Sequence, residues 1–384
     1  MADFRWALGR SLSAIYEELR LGPIERRYPF LRRSWLEALE QSGAASERSG
    51  WGPHHLVIER EGKPIAFMPA YLKMHSMGEF VFDHAIAEFS ESRLGLPYYP
   101  KLVIAVPFTP ATGPRILFDE GASAAQIAET MGFVAESLPR LSRELEVSSV
   151  HVLFPTKYEA ELLEQGGWAL RSGVQFQFHN TGFPAFEDFL GVMGSKRRAQ
   201  IRRERRVLLE RDDLSFEILT GPSLETVSPR LLYELYLTTV DKYVWGRRYL
   251  NEEFFRTVTR TMPEALHVVL VRRAGSSGDE GVIAGAFNLL GAEALYGRYW
   301  GTFEEVPFLH FETCLYRGIE ETILRGLSRF EPGAGGEHKH GRGFVPTLTQ
   351  SAHTFLDPRL EIAVRDYFRR EAEAIKAQLD PKIS

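Results

Sequence analysis

Three runs decide the fold: Leu266-His267-Val268-Val269-Leu270-Val271-Arg272, Val282-Ile283-Ala284-Gly285-Ala286-Phe287-Asn288-Leu289-Leu290 and Ala294-Leu295-Tyr296-Gly297-Arg298-Tyr299-Trp300-Gly301. Each is short, apolar and rich in β-branched or aromatic residues, which is how strands read. The turns Ala274-Gly275-Ser276-Ser277-Gly278 and Gly291-Ala292-Glu293 join them into an antiparallel meander. Beyond it, 310–325 predicts a long helix with Gly326 just past its end, and 328–331 predicts another strand. Ahead of it, 231–242 and 251–261 predict helices. Two helices, three antiparallel strands, a helix and a strand make a mixed sheet with helices on both faces, an α/β class.

The order recurs more loosely upstream. A helix is expected at 28–40, with Leu31, Trp35, Leu36 and Leu39 on one face. Strands are expected at 54–59, 64–72, 101–106, 149–154 and 174–179, and helices at 122–145 and 157–165. A tandem duplication follows, with domains at 1–179 and 180–384 and the active cleft in the second.

The 384 residues are 44% hydrophobic and 25% charged, with a net charge of -5. That is an ordinary globular balance with room for about two domains. A single cysteine, Cys314, excludes a disulfide scaffold. Nothing approaches the ~18 uncharged apolar residues of a membrane span, and charges interrupt the first residues, so no export signal is read. A reducing cytoplasm is the expected location. The acidic balance argues against a DNA-coating protein, and no Gly-x-Ser-x-Gly or Walker loop supports an esterase or NTPase.

One stretch runs against that balance. Eight Lys or Arg fall between Lys196 and Arg211. On a helix, Arg198, Arg202, Arg205 and Arg206 share a face, and with Lys196 they suit phosphates of a tRNA acceptor stem, a nucleotide-linked precursor or CoA. The plainer reading is a solvated face paired to acidic neighbours. Without interleaved aromatics, base reading is not expected.

The second candidate is the glycine-rich loop at 332–343, at the C-terminal end of a strand, where open sheets place ligands. It gathers Glu337, His338, Lys339, His340 and Arg342. Glu337 or His338 suits a base that takes a proton from an attacking amine, and Lys339 suits an oxyanion or phosphate. A flexible, solvated loop is the alternative. His338, His340 and His353 with Glu337 raise a metal reading, but flanking glycines argue against the regular strand that His-x-His would need, and no metal set is assigned.

Around these lie substrate-binding candidates. Tyr296, Arg298 and Trp300 alternate along one strand face, and Arg298 suits a carboxylate. His310 and Glu312 open the long helix, where capping is the plainer role for a carboxylate. Lys242, Tyr243, Trp245 and Arg247 follow a helix and suit a cleft rim or packing. Lys73, His75, Glu79, Asp83 and His84 surround an aromatic stretch and suit either the lining of an interdomain cleft or domain-interface packing, the preferred reading. Cys314 reads as core rather than nucleophile.

A wider pattern then emerges. Tyr98-Tyr99-Pro100-Lys101 through Pro107-Phe108-Thr109-Pro110-Ala111-Thr112-Gly113-Pro114-Arg115 is its first part. Ser195-Lys196-Arg197-Arg198, Ile201-Arg202-Arg203-Glu204-Arg205 and Tyr296-Gly297-Arg298-Tyr299-Trp300-Gly301 follow. Leu309-His310-Phe311-Glu312, Gly333-Ala334-Gly335-Gly336-Glu337-His338-Lys339 and Ser351-Ala352-His353 complete it. As a set these resemble the FemAB-like group, two-domain relatives of the peptidoglycan aminoacyltransferases within the GNAT superfamily. The resemblance covers most of the chain. It implies tandem GNAT-like domains and transfer of an acyl or aminoacyl group to an amine-bearing small molecule or peptide. Aminoacyl-tRNA or acyl-CoA would be the donor, and no metal or redox cofactor is required.

One departure bears on the donor. In acetyl-CoA-dependent GNAT enzymes, the turn after the fourth strand is a glycine-rich phosphate cradle. Here it reads Gly301-Thr302-Phe303-Glu304-Glu305-Val306-Pro307-Phe308-Leu309-His310. Two carboxylates and a proline suit a pyrophosphate poorly, which favours aminoacyl-tRNA. An acyl-CoA-dependent N-acetyltransferase and a non-catalytic cell-wall-precursor recognition module are the alternatives.

Overall fold

The computed structural model describes residues 3–242 and 247–379, without the side chains of residues 337, 338 and 378. The expected α/β class with mixed sheets holds. The chain forms two compact units, 1–25 with 30–174 and the segment from Leu348 onward, and 26–29 with 175–347. The chain passes between the units at 25/26, 29/30, 174/175 and 347/348, and the boundary read from the sequence at 179/180 falls beside the third of these. The C-terminal segment differs from that division because Ser351–Phe355 pairs antiparallel with Ser149–Leu153, inside the first unit.

The first unit holds two sheets. Phe4–Leu8, Leu56–Arg60, Lys63–Met68 and Leu117–Phe118 form an antiparallel set in that order. In the other, Ser149–Leu153 runs parallel to Lys101–Ile104, followed by Ala70–Lys73 and Trp51–Pro53. The single strand expected at 64–72 is therefore two strands in two sheets. Pro69 stands at the break, where its missing N–H cannot serve a ladder. The helix Ala124–Glu144 packs Met131, Val134 and Leu138 onto Leu56, Ile58 and Val150. Two segments unforeseen as elements, the helices His84–Leu94 and Pro358–Leu379, join Ile86 and Ala87 to Leu360, Val364 and Phe368.

In the second unit the meander appears as Leu266–Arg273, Val282–Leu290 and Ala294–Thr302, all antiparallel. An unforeseen strand, Leu214–Leu219, flanks it on one side. On the other, Arg329–Glu331 runs parallel to Ala294–Thr302 and antiparallel to the end of Ala169–His179. The helix Pro229–Val240 lies so close that a Cβ on Gly301 would fall 1.9 Å from the Leu235 carbonyl oxygen. The expected long helix is Leu309–Phe311, a π-helical turn Glu312–Tyr316 and Arg317–Leu324. Its Leu315 and Ile319 pack on Leu295, Phe330 and Ile201.

Candidate active site

A cleft of about 350 Å³ opens in the second unit where two strands part. The pairing of Ala294–Thr302 with Arg329–Glu331 runs only from Ala294↔Arg329 to Tyr296↔Glu331. Pro332 follows, and with no N–H it cannot extend the ladder. Gly297 marks the parting point, where a Cβ would sit 3.1 Å from the Pro332 backbone. On its other edge the strand slips by one residue. Phe287 faces Tyr299 and Asn288 faces Gly297, which leaves Arg298 as the extra residue of a bulge.

The bulge breaks the expected alternation of Tyr296, Arg298 and Trp300. Gly297, Arg298, Tyr299 and Trp300 all line the cleft. Tyr296 is buried behind it, its hydroxyl accepting from Arg329 Nη2 at 3.1 Å. His310 and Cys314, one turn apart, form the helical wall. The His310 ring meets Trp300 edge-on at 5.3 Å between centroids. Burial pushes the Cys314 thiol well up, so it stays protonated, in keeping with a packing role.

The glycine-rich loop closes the cleft. Gly333, Gly335 and Gly336 take φ of 88°, 74° and 92°, left-handed values that L side chains avoid. They deliver a 3-10 turn, Glu337–Arg342, with Lys339 turned inward. Lys339 is 5% exposed, and its Nζ donates to the Gly333 carbonyl oxygen at 2.8 Å. Burial pulls its ammonium down to about 8, so it is charged but loosely held at neutral pH. Glu337 and His338 open the turn through their backbone, while their side chains lie outside the described set. Tyr243 and Trp245 also lie outside the described residues.

The structure thus brings Lys339, Arg298, Trp300 and His310 together and places the other candidates elsewhere. Glu312, with no exposed surface, faces away from the cleft. It accepts a fork from Arg205 (Nε to Oε2 3.0 Å, Nη2 to Oε1 3.1 Å) and pairs with Arg317 at 3.0 Å. Lys242 is exposed and 3.3 Å from Glu305. His353 lies in the first unit, its Nδ1 2.6 Å from Nδ1 of His151. No metal-ligand cluster occurs among the described residues.

The basic stretch is the helix Ser195–Leu209, which buries Ile201, Glu204 and Leu208. Lys196, Arg202, Arg203 and Arg206 are exposed. Arg202 meets Glu187 at 2.6 Å, and Arg198 reaches the carbonyls of Gly191 and Met193. Arg205 points inward to Glu312 and Glu320. The expected shared cationic face is thus divided, because the helix packs its 201/204/208 edge and Arg205 borders that edge.

Asn288 was missed from sequence, although a lone amide inside the run Val282–Leu290 is a signal. It is 3% exposed, borders the cleft and lies 3.2 Å from His267 Nδ1. Tyr299 carried no such signal, since only the bulge turns it to the cleft.

A mixed sheet whose strands part beside the buried Lys339 frames the candidate site. The chain matches the FemAB-like family model, described as peptidoglycan biosynthesis/recognition, over residues 13–382, and belongs to that family. In fold it is similar to FemX, with a TM-score of 0.52 and 10% identity over 94% of this chain and 100% of that one. It is also similar to L-PGS from Bacillus licheniformis, at 0.50 and 11% over 92% and 95%. The C-terminal domain of a putative lysylphosphatidylglycerol synthetase from Agrobacterium fabrum gives 0.50 and 13% over 93% and 96%. No curated protein sequence matches it. Among the described residues, no helix is long and apolar enough to cross a membrane.

Proposed function

We propose that the second unit transfers an aminoacyl group from aminoacyl-tRNA to an amine on a peptidoglycan-precursor peptide. The observation that carries this reading is the Lys339 ammonium, buried at the mouth of the parted strands. An aminoacyl ester is already activated, so catalysis needs positioning, charge stabilisation and removal of a proton. The acceptor amine attacks the ester carbonyl, and Lys339 donates to the oxyanion that forms. Glu337 or His338, on the same turn, takes the proton from the attacking nitrogen. The bond from carbonyl carbon to ribose oxygen then breaks, an amide remains, and the ribose oxygen leaves as a hydroxyl. Arg298, Trp300 and His310 hold the acceptor, with Arg298 on a carboxylate. Lys196, Arg198, Arg202 and Arg206 meet donor phosphates. No metal or redox group is required by this chemistry.

The test offers a pool of tRNA charged with radiolabelled amino acids, or acetyl-CoA, with a precursor pentapeptide bearing a free side-chain amine. Transfer from tRNA is expected, and Lys339→Met should lower kcat about 10²–10³-fold, the usual cost of losing one oxyanion donor. Wild-type activity should fall as pH rises past about 8, where Lys339 loses its proton. Transfer from acetyl-CoA alone would replace the donor assignment. Peptide binding without transfer from either donor would favour a recognition module.

A further inference from the structure

A buried polar triad, unused by the steps above, lies behind the Lys339 turn. Arg342, in that turn, is 7% exposed. Its Nη2 donates to both oxygens of Glu204 at 2.9 and 3.1 Å, and its Nε donates to the Tyr316 hydroxyl at 2.9 Å. Tyr316 donates to Glu204 in turn, and Gln200 Nε2 adds a bond to Glu204 Oε1 at 2.8 Å. The guanidinium carbon stands 3.5 Å from the centre of the Phe311 ring. Glu204 is 2% exposed.

A buried ion pair is a poor way to gain stability, since apolar residues of similar volume often do as well. What it supplies is position, because a planar fork with each oxygen engaged tolerates little displacement. Three elements meet here. Glu204 comes from the helix that carries the exposed cations, and Phe311 and Tyr316 from the helical run that also carries His310 and Cys314. Arg342 lies three residues beyond Lys339, and the Gly343 N–H closes their turn on the Lys339 carbonyl.

We propose that Arg342, held by Glu204 and Tyr316, is the positioning residue for Lys339. The triad fixes the turn so that the ammonium enters the cleft, and it ties that placement to the donor-facing helix. The inference rests on the reading of Lys339 as the cation of the transfer. An ångström of misplacement is enough to cost ~10²-fold in rate. Loss of the fork therefore falls on kcat and leaves donor binding intact, because the exposed cations stay on their helix.

The experiment compares Arg342→Lys, the double variant Glu204→Leu/Arg342→Met and Lys339→Met in the full chain, with charged tRNA and the pentapeptide as probes. The double variant leaves neither charge stranded, so it keeps the fold where a single change could lose it. It should melt within a few degrees of the wild type and bind charged tRNA within about twofold. Its kcat should fall about 10–100-fold with donor KM nearly unchanged. Its alkaline limb should move up from about 8, since a Lys339 released from the wall it shares with Arg298, His310 and Cys314 regains solvent. Arg342→Lys should recover only part of the loss. Full kcat with an unmoved limb in a folded double variant, while Lys339→Met is inactive, would overturn the inference alone. An active Lys339→Met would remove the reading beneath it.

Discussion

The two histidines of the first unit show how a buried polar pair sets acid stability. His151 and His353 share a hydrogen bond between Nδ1 atoms at 2.6 Å, and their Nε2 atoms reach Ser149 and Ser351 at 2.8 and 2.7 Å. One ring donates through Nδ1 and the other accepts, which requires at least one neutral ring. Burial, assisted by Arg171, pulls His353 down to about 3, and burial lowers His151 as well. In the unfolded chain a histidine titrates near ~6.5. Between those values the unfolded state holds a proton that the folded state lacks. Stability is thus complete above about 6.5 and falls as pH drops toward 3, by about 1.4 kcal/mol per pH unit for each such group. His353→Gln should remove one proton from this linkage. Urea unfolding at pH 7, 6 and 5 should then give a slope shallower by about that amount. An unchanged slope would mean that His353 charges freely in the folded protein.

At the scale of elements, the approach of the helix Pro229–Val240 to the strand Ala294–Thr302 depends on Gly301. A methyl there would collide with backbone rather than with a movable side chain, 1.9 Å from Leu235 O. Gly301→Ala should therefore cost about 3 kcal/mol, at the upper end of overpacking. Gly132→Ala is the control. It sits in the helix Ala124–Glu144 with nothing within 4 Å of the added methyl, and should gain about 1 kcal/mol. Equal denaturation midpoints for the two variants would refute the contact. Elements of this kind were legible wherever one period ran long enough: the meander, the helix Ala124–Glu144 and the basic helix all stand where the pattern puts them. Strands that change partners were not, as at Pro69, because sheet membership is a tertiary fact. In the site, Lys339, Arg298, Trp300 and His310 were legible as chemistry-bearing types in loops and strand ends. Tyr296 and Arg205 were not. The first depends on a bulge that shifts the side-chain period, and the second on which edge of a cationic helix carries Ile201 and Leu208.

For the whole molecule, a net charge of -5 would oppose the polyanionic donor proposed above at long range, whereas the exposed cations of the helix Ser195–Leu209 would attract it locally. The Debye length of about 8 Å at physiological ionic strength settles the contest in favour of the local term. Exposed Lys196 and Arg206 should therefore each contribute about one phosphate contact, and each change to Gln should lower the slope of log K against log salt by about 0.9 on a duplex stem. Arg205 should behave differently. Its guanidinium is committed to Glu312 and Glu320, so Arg205→Gln should leave the salt slope unchanged and lower the melting temperature, because Glu312 loses a partner in a site with no exposed surface. Titration of charged tRNA between 50 and 200 mM salt, with thermal melts of the same samples, separates the two behaviours. A slope that falls equally for all three variants with melting unchanged would show that Arg205 leaves its buried partners to meet the donor, and the division of the helix into a packed edge and a cationic face would fail.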